Sequence, residues 1–299
     1  MKYAEFVERL KRELKNRLKG KYDVTVNTVL KNNGMVREVL SIQPLSGASG
    51  VASVITLRER YNPYMSELEF CACVETIMKN CREESEVLEA YGFTETGVEW
   101  ENIKDMVYPV LLSTKANWFL LESLVSKPML DLSVIYMIRL RVGGDQYPIA
   151  VRVTEPLFDM WGISLEELHQ TALKNLEKDK VRFVELESVM KATLLGIEPP
   201  EAETLEEGKV YILSNSVQYY GVSMILNQEY LRKISGGRSM YILPCTVHEV
   251  VLVLDAEQLD MESMNEMAQD ANDELEEEER FQNHAYYYDG ETGEIRSCK

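Results

Sequence analysis

The sequence lacks any apolar stretch long enough to cross a bilayer, because polar residues interrupt each hydrophobic run well before about 20 residues. Its first 21 residues also show no apolar segment of the signal-peptide kind. Positive charge is scarce, since 32 Lys and Arg against 50 Asp and Glu give a formal net charge of −18. Contacts with phosphate backbones need clustered Lys and Arg, so this balance argues against nucleic-acid binding through phosphates and against an anionic membrane partner. We therefore expect a cytoplasmic protein without a membrane segment.

Cysteine is scarce and odd in number, with five residues in the chain. An odd number favours reduced thiols over a disulfide framework, in agreement with a cytoplasmic location. Cys71 and Cys73 lie two apart in a helical pattern, where their side chains point away from each other. Since no second CxC or CxxC completes a metal site, and no Lys follows the Gly- and Ser-containing loop at 44–50 as in a P-loop, the sequence predicts neither metal nor cofactor.

What is present is a globular composition, 45% hydrophobic and 27% charged, in a chain long enough for one large or two ordinary domains. Apolar residues at helical spacing predict an amphipathic helix over 2–18, with a basic outer face. Alternating runs at 22–30 and 35–42 flank Asn33-Gly34, a strong hairpin signal, and a third strand is predicted over 51–57. Ser66 and Glu69 form a capping-box pattern that opens a helix to about residue 89.

The following region, 102–124, is predicted to be a helix kinked near Pro109, with Trp118, Phe119 and Leu121 in the core. Residues 130–140 are apolar on both faces and predict a central strand, followed by a turn at 143–145 and a returning strand at 147–153. Ser164 is predicted to cap a helix, with His169 at the boundary of its buried face. The pattern at 180–196 fits either a strand or a helix.

The last third predicts strands at 210–214, 222–226, 240–243 and 250–254, and a helix at 228–234. An acidic helix is predicted over 257–279, where eleven Asp or Glu occur without Lys or Arg. The predicted inner face of this helix is Leu259, Ser263, Met264 and Met267. A short terminal strand is predicted at 294–296, pairing back on the preceding chain. The whole is therefore predicted as an α+β fold with antiparallel sheets flanked by helices. We expect two lobes, residues 1–92 and 93–299.

The corner Pro244 to Glu249 joins two of these strands and supports two interpretations. In the first, Thr246 caps a helical turn and Glu249 reaches back to its amide, as the spacing of a capping box favours. In the second, Cys245 or Thr246 is a nucleophile, His248 a general base, and Glu249 or Asp131 its orienting carboxylate. A zinc-protease motif is excluded, because Leu252 stands where the second His is required.

Three functional hypotheses follow from these patterns. The first is a non-enzymatic binding or regulatory protein that contacts a protein partner through the acidic helix 257–279. The same helix could instead be solvated, or could dock on the basic N-terminal helix. The second hypothesis is a hydrolase or transferase centred on His248 and Glu249. The third is an acidic mimic of nucleic acid, which is less favoured because the acidic excess lies mainly at one end of the chain.

Several short motifs in fixed order resemble a family of uncharacterised proteins from gut-dwelling Gram-positive bacteria, known only as a domain of unknown function. That family usually carries two serines after the proline, then an apolar residue, His and Glu. Here Cys245 and Thr246 replace the serines, so a hydroxyl survives only at the second position. The resemblance implies no activity. It rests on Lys31-Asn-Asn-Gly34, Ile55-Thr-Leu-Arg-Glu-Arg-Tyr61, Leu130-Asp-Leu-Ser-Val-Ile-Tyr136, Trp161-Gly-Ile-Ser-Leu-Glu-Glu-Leu168, Leu213-Ser-Asn215 with Tyr220-Gly221, and Ile242-Leu-Pro-Cys-Thr-Val-His-Glu-Val250.

Overall fold

The N-terminal part of the chain is a three-stranded antiparallel sheet packed against two helices, as the sequence predicted. The computed structural model describes residues 1–45, 51–140, 149–256 and 259–298. The elements are α1 Tyr3–Arg17, β1 Tyr22–Leu30, β2 Val36–Pro44, β3 Ser53–Thr56, α2 Leu57–Arg60 and α3 Glu67–Ala90. The strands pair in the order β1-β2-β3. The capping box of Ser66 and Glu69 opens α3, and Asn33 and Gly34 turn between β1 and β2 with positive φ. Most of the loop predicted at 44–50 lies outside the described residues.

The two long helices of this part are joined by ion pairs as well as by apolar packing. Arg9 pairs with Glu67 and Arg17 pairs with Glu75, so cations of α1 meet carboxylates of α3. The acidic C-terminal segment instead reaches the N-terminal sheet, where Arg37 of β2 and Glu278 form an ion pair of 2.7 Å. Among the ion pairs of the described residues, the acidic C-terminal segment is joined to β2 by Arg37 and Glu278, and none joins it to the basic helix α1.

A second antiparallel sheet surrounds the predicted central strand. It contains β4 Val107–Ser113, β5 Ser126–Met129, β6 Leu132–Leu140 and β7 Ile149–Arg152, with the short helices α4 Trp100–Ile103 and α5 Trp118–Leu121 nearby. The order is β4-β6-β5, and β7 also pairs with β6. The central position of β6 and the returning strand β7 are confirmed. The turn predicted at 143–145 lies outside the described residues.

The helix predicted over 102–124 is wrong. Val107–Ser113 is a strand that pairs along its length with β6, and Pro109 is tolerated because β4 lies at the sheet edge, where a missing N–H costs no ladder bond. The neighbouring outward amide, that of Leu111, donates to the Ser223 hydroxyl at 3.0 Å. Trp118 and Phe119, which were predicted in the core, are 62% and 57% exposed.

The C-terminal sheet has six antiparallel strands. Its elements are α6 Glu155–Trp161, α7 Leu165–Glu177, β8 Val181–Glu185, α8 Leu186–Leu195, β9 Val210–Asn215, α9 Gln228–Ser235, β10 Met240–Leu243, β11 Val250–Leu254, α10 Met261–Asp273, β12 Tyr286–Tyr288 and β13 Ile295–Ser297. The strand order is β13-β12-β10-β11-β9-β8, which confirms the paired terminal strand. Residues 180–196, whose pattern fitted either a strand or a helix, form the strand β8 followed by the helix α8.

The strand predicted over 222–226 is wrong, because Gly221–Leu226 forms a 3-10 helix. Its apolar side chains, among them Val222, Met224 and Ile225, are fully buried. A short continuous apolar run is compatible with a buried strand or a buried helical turn, and periodicity does not separate the two. Tyr220, with φ of 51°, turns the chain immediately before this segment and so removes it from the sheet.

The two faces of the six-stranded sheet have different roles, since side chains alternate along each strand. Tyr211, Ile242 and Leu252 face the main core shared with the β6 sheet. On the other face, which we call the outer face, Tyr241 and Leu243 pack against α10. The outer face continues through Val251 and Ile212 to Val184 by strand register, and α8 packs on β8 and β9 there.

The acidic helix is shorter than predicted. It covers Met261–Asp273, residues 274–279 are not helical, and the predicted start at 257 lies outside the described residues. Its buried row is Met264, Ala268 and Asn272, spaced by four residues, so the predicted inner positions Ser263 and Met267 are wrong. None of the helices in the described ranges is long and apolar enough to cross a membrane.

Asn272 provides a test of how the end of the chain is held. Its amide donates to the carbonyl oxygens of Ala268 and Gln282, and its side-chain oxygen accepts from the Phe281 amide at 3.1 Å. Asn272→Ala removes all three hydrogen bonds and leaves the Gln282 carbonyl oxygen without this donor, whereas the Phe281 amide keeps its bond to the Cys245 carbonyl oxygen at 3.2 Å. We therefore expect the free energy of unfolding to fall by about 1–3 kcal/mol. Urea denaturation measures it. The control Gln269→Ala, at an exposed position of the same helix, should change it by less than about 0.5 kcal/mol, and equal effects would contradict the assignment.

Candidate functional site

The corner between β10 and β11 is held by the hydroxyl of Thr246. This oxygen accepts hydrogen bonds from the amides of His248, at 2.9 Å, and Glu249, at 3.0 Å. The predicted acceptor is therefore present, but no helical turn follows it. Among the described hydrogen bonds, the Glu249 side chain makes none to the Thr246 amide, so the corner is a side-chain-stabilised turn and not a capping box.

His248 lies half-buried beside two tyrosines, with its ring 6.2 Å and 6.0 Å from those of Tyr219 and Tyr220. Its Nδ1 accepts a long hydrogen bond of 3.4 Å from the Tyr220 amide, and the ring also bonds to the backbone of Gln218. Burial lowers the pKa of His248, against the opposing effect of Glu279 and Glu249. The imidazole is thus neutral at neutral pH, with its hydrogen bonds made to backbone.

The backbone beside His248 is closely packed. Ser214 Oγ donates to the His248 carbonyl oxygen at 2.7 Å, and Asn215 bonds both backbone groups of Tyr219. A Cβ atom on Gly221 would lie 2.2 Å from the His248 carbonyl oxygen and 2.1 Å from Ser214 Oγ. Only glycine fits at this contact, which explains why Gly221 follows the two tyrosines.

The other predicted nucleophile, Cys245, is buried against the outer-face core. Its Sγ donates to the Leu243 carbonyl oxygen at 3.5 Å. Burial, and secondarily the charge of Glu249, raises the pKa of the Cys245 thiol to about 11. Because a thiol reacts as the thiolate, this cysteine is a poor nucleophile at neutral pH.

Asp131 belongs to a different cluster. Its Oδ1 accepts from the Tyr286 hydroxyl at 2.6 Å, and its Oδ2 accepts from Gln282 at 3.3 Å and lies 3.3 Å from His284 Nε2. Burial and this carboxylate raise the pKa of Tyr286. The structure brings together Thr246, His248 and Glu249 in the corner, while Asp131 links the middle sheet to β12.

Sequence reasoning missed a small cleft beside the corner. Its polar lining includes Arg139, Asn215, Tyr219 and Ser223. Arg139 pairs with the buried Asp179 at 2.8 Å and lies over the Tyr108 ring at 3.3 Å. The only sequence signal for this pair was an Arg inside an otherwise apolar strand. Burial raises the pKa of Tyr219 to about 12, so its phenol is neutral.

Sequence reasoning also missed the role of Asn32 and Asn33, which were predicted only as a turn. The Asn32 amide donates to the Tyr220 hydroxyl at 2.9 Å. Asn33 exchanges two hydrogen bonds with Asn117 and donates to the carbonyl oxygens of Glu277 and Arg280, both at 2.7 Å. The turn therefore connects the N-terminal sheet with both other sheets.

The chemistry available to this arrangement is limited. Thr246 already uses its oxygen for the turn, Cys245 is a protonated thiol, and His248 bonds to backbone rather than to a carboxylate that could orient it. No three His, Cys, Asp or Glu side chains within the described ranges are positioned to hold a metal ion. The geometry of the corner supports a structural role more directly than a catalytic one.

A family model described as "Family of unknown function (DUF5688)" matches residues 3–290. Neither a curated protein nor a solved structure matches the chain.

The buried ring of His248 gives a testable pH dependence. Its pKa is lowered in the folded protein, so the unfolded chain binds the proton more tightly. The stability that follows from this difference is fully present above the ordinary pKa of about 6.5 and is lost as the pH falls through the folded pKa. We expect wild type to lose more stability than His248→Gln between pH 7.5 and 5, by at most about 1.4 kcal/mol per pH unit. Parallel pH slopes in urea denaturation would contradict this.

The close contact at Gly221 gives a second test. In Gly221→Ala the added methyl overlaps Ser214 Oγ and the His248 carbonyl oxygen, so we expect a loss of more than about 2 kcal/mol in the free energy of unfolding. Gly208→Ala is the control, since the φ of +76° at this position strains an alanine backbone while nothing lies within 4 Å of the new Cβ. That control should cost only about 1–2 kcal/mol. If Gly221→Ala lowers the free energy of unfolding by less than Gly208→Ala does, the close contact at Gly221 is refuted.

Proposed function

Since the chain belongs to the family of unknown function DUF5688, we propose a role from its own geometry: a non-enzymatic binding or regulatory protein with a basic protein partner. The observation that carries this proposal is the outward side of α10. Glu262, Glu266, Asp270 and Asp273 are exposed there, and their spacing of four, four and three residues places them in one row along the helix.

Two features favour an external partner for this row. In the part of the chain that the structure describes, no Lys or Arg forms an ion pair with these four carboxylates, although like charges four apart destabilise a helix. Met261 and Met267 are 47% and 44% exposed on the same helix and offer adaptable apolar contacts beside the charge. A basic surface would neutralise the row and would be steered to it by the acidic chain.

The proposed contact surface is smaller than the acidic segment 257–279. Asn33 binds the Glu277 carbonyl oxygen and Arg37 binds the Glu278 side chain, so the end of that segment is already engaged within the chain. The proposal therefore rests on α10 itself.

The proposal includes a cytoplasmic location in a gut-dwelling Gram-positive bacterium. All five cysteines are unpaired, which agrees with a reducing compartment. The alternative, a hydrolase or transferase centred on His248 and Glu249, has less support because Cys245 is a protonated thiol and Asp131 lies in a separate cluster.

Neutralising the row tests the proposal. We expect the triple variant Glu262→Gln, Glu266→Gln and Asp270→Asn to bind its partner about tenfold more weakly, since each lost pair is worth about 0.5 kcal/mol. Wild type and variant are compared by quantitative capture from a native-host extract at low and high salt.

The control is a second triple variant, Glu86→Gln, Glu89→Gln and Glu95→Gln, which removes the same charge from exposed or loop positions elsewhere. It should capture the same proteins as wild type. Raised salt should weaken capture by wild type more than by the α10 variant. Identical capture by wild type and the α10 variant at both salt concentrations would refute the proposed surface.

A further inference from the structure

The helix α8 has apolar residues on two opposite sides. Towards the sheet it places Ala192, which is 3% exposed and packs where α8 meets β8 and β9. On the opposite side lie Leu186, Met190 and Leu194, which are 36%, 63% and 87% exposed, and Ile197, just beyond the helix, is 60% exposed. The spacing of four residues between Leu186, Met190 and Leu194 places them in one row along the helix. We call this row, together with Ile197, the α8 stripe.

Such a stripe is unusual on a surface. A helix on the surface ordinarily has a single apolar side, which faces the core, and neighbouring exposed apolar side chains mark sites of protein contact. The exposure of Met190 and Leu194 is not needed for the fold, because the inner side of α8 already covers β8 and β9. The stripe is therefore available to a partner.

The charge beside the α8 stripe indicates what kind of partner fits. The segment after the helix, residues 198–207, contains five Glu and no Lys or Arg, and all five are exposed. Lys209 pairs with one of them, Glu206, at 3.0 Å, which leaves the segment strongly acidic. A complementary partner carries Lys or Arg beside its apolar residues.

The other candidate occupants fit less well. Two copies that met through their α8 stripes would bring two acidic segments together, which is electrostatically unfavourable. The basic helix α1 of a second copy has the required charge, but its apolar residues Phe6, Leu10 and Leu14 are buried in its own fold. Charge and apolar surface together therefore favour another protein, and not a second copy of this chain, as the occupant of the α8 stripe.

We propose that the α8 stripe is the apolar anchor for the basic partner, and that this partner presents an amphipathic helix with one apolar row flanked by Lys and Arg. The inference rests on the proposed function, because α8 and α10 lie on the same outer face of the six-stranded sheet and would serve one partner. The helix-in-groove mode of peptide recognition uses anchors at the same spacing.

The test uses a defined probe and the full-length protein. The probe is a fluorescein-labelled 18-residue peptide of Leu and Lys with its leucines on one helical face, and a scrambled peptide of the same composition lacks that face. We expect Met190→Ser with Leu194→Ser to weaken binding of the helical peptide at least tenfold, as about two lost anchors predict. The matched control, Tyr64→Ser with Leu68→Ser, alters side chains that are 91% and 80% exposed elsewhere and should not change binding.

The outcomes separate this inference from the proposed function. Unchanged binding in the α8 variant, or equal binding of helical and scrambled peptides to wild type, would overturn the anchor. If the α8 variant binds normally but the α10 triple variant loses binding, the anchor is refuted while the proposed function, which rests on the acidic surface of α10, is retained. Loss in the α8 variant with full retention in the α10 variant supports the anchor and removes the role of α10. A wild-type dimer in sedimentation that the α8 variant abolishes would make a second copy the occupant and would refute the proposal.

Discussion

The hydrogen bonds of Asn32 and Asn33 are the constraint on which the arrangement of the three sheets depends. Asn32 is buried, at 6% exposure, and shares hydrogen bonds in both directions with the Tyr220 hydroxyl. Buried amides are ordinarily hydrogen-bonded, and these two bonds satisfy the Asn32 side chain where the turn between β1 and β2 meets Tyr220. Tyr220 in turn donates its amide to His248. The position of the corner is thus tied to a turn near the start of the chain, at residues 32–34.

The polar residues that suggested chemistry are used to shape the backbone. Thr246 closes its own turn, His248 and Ser214 hold the segment around Gly221, and Asp131 joins β12 to the middle sheet. Two exposed surfaces lie on the outer face of the six-stranded sheet, where α8 presents apolar side chains and α10 presents carboxylates. The proposed binding role rests on this division between a polar network that shapes the interior and two exposed helix surfaces.

Local signals in the sequence predicted the structure correctly where a short run of residues determines it. The Ser66–Glu69 capping box, the Asn33-Gly34 turn and the doubly apolar β6 were all identified in advance. Prediction failed where contacts with residues distant in sequence determine the local structure. Pro109 suggested a helix kink but lies in an edge strand, and the apolar run after Gly221 is a buried 3-10 helix. The contact between Asn32 and Tyr220 joins residues 188 positions apart. In the candidate site, the residues of the corner were visible in the sequence, but their hydrogen-bond partners from the loop at 215–221 were not.

The outer edge of β4 is closed within the molecule, since Pro109 and Leu111 are buried and the 3-10 helix at 221–226 packs against this strand. An exposed strand edge offers free amides on which a strand from another molecule can add, and successive additions lead to fibres. On β4, Pro109 has no amide hydrogen to offer, and the amide of Leu111 is already bonded to Ser223. Pro109, which misled the prediction of local structure, therefore lies at an edge where neither it nor Leu111 offers a free outward amide to a strand of another molecule.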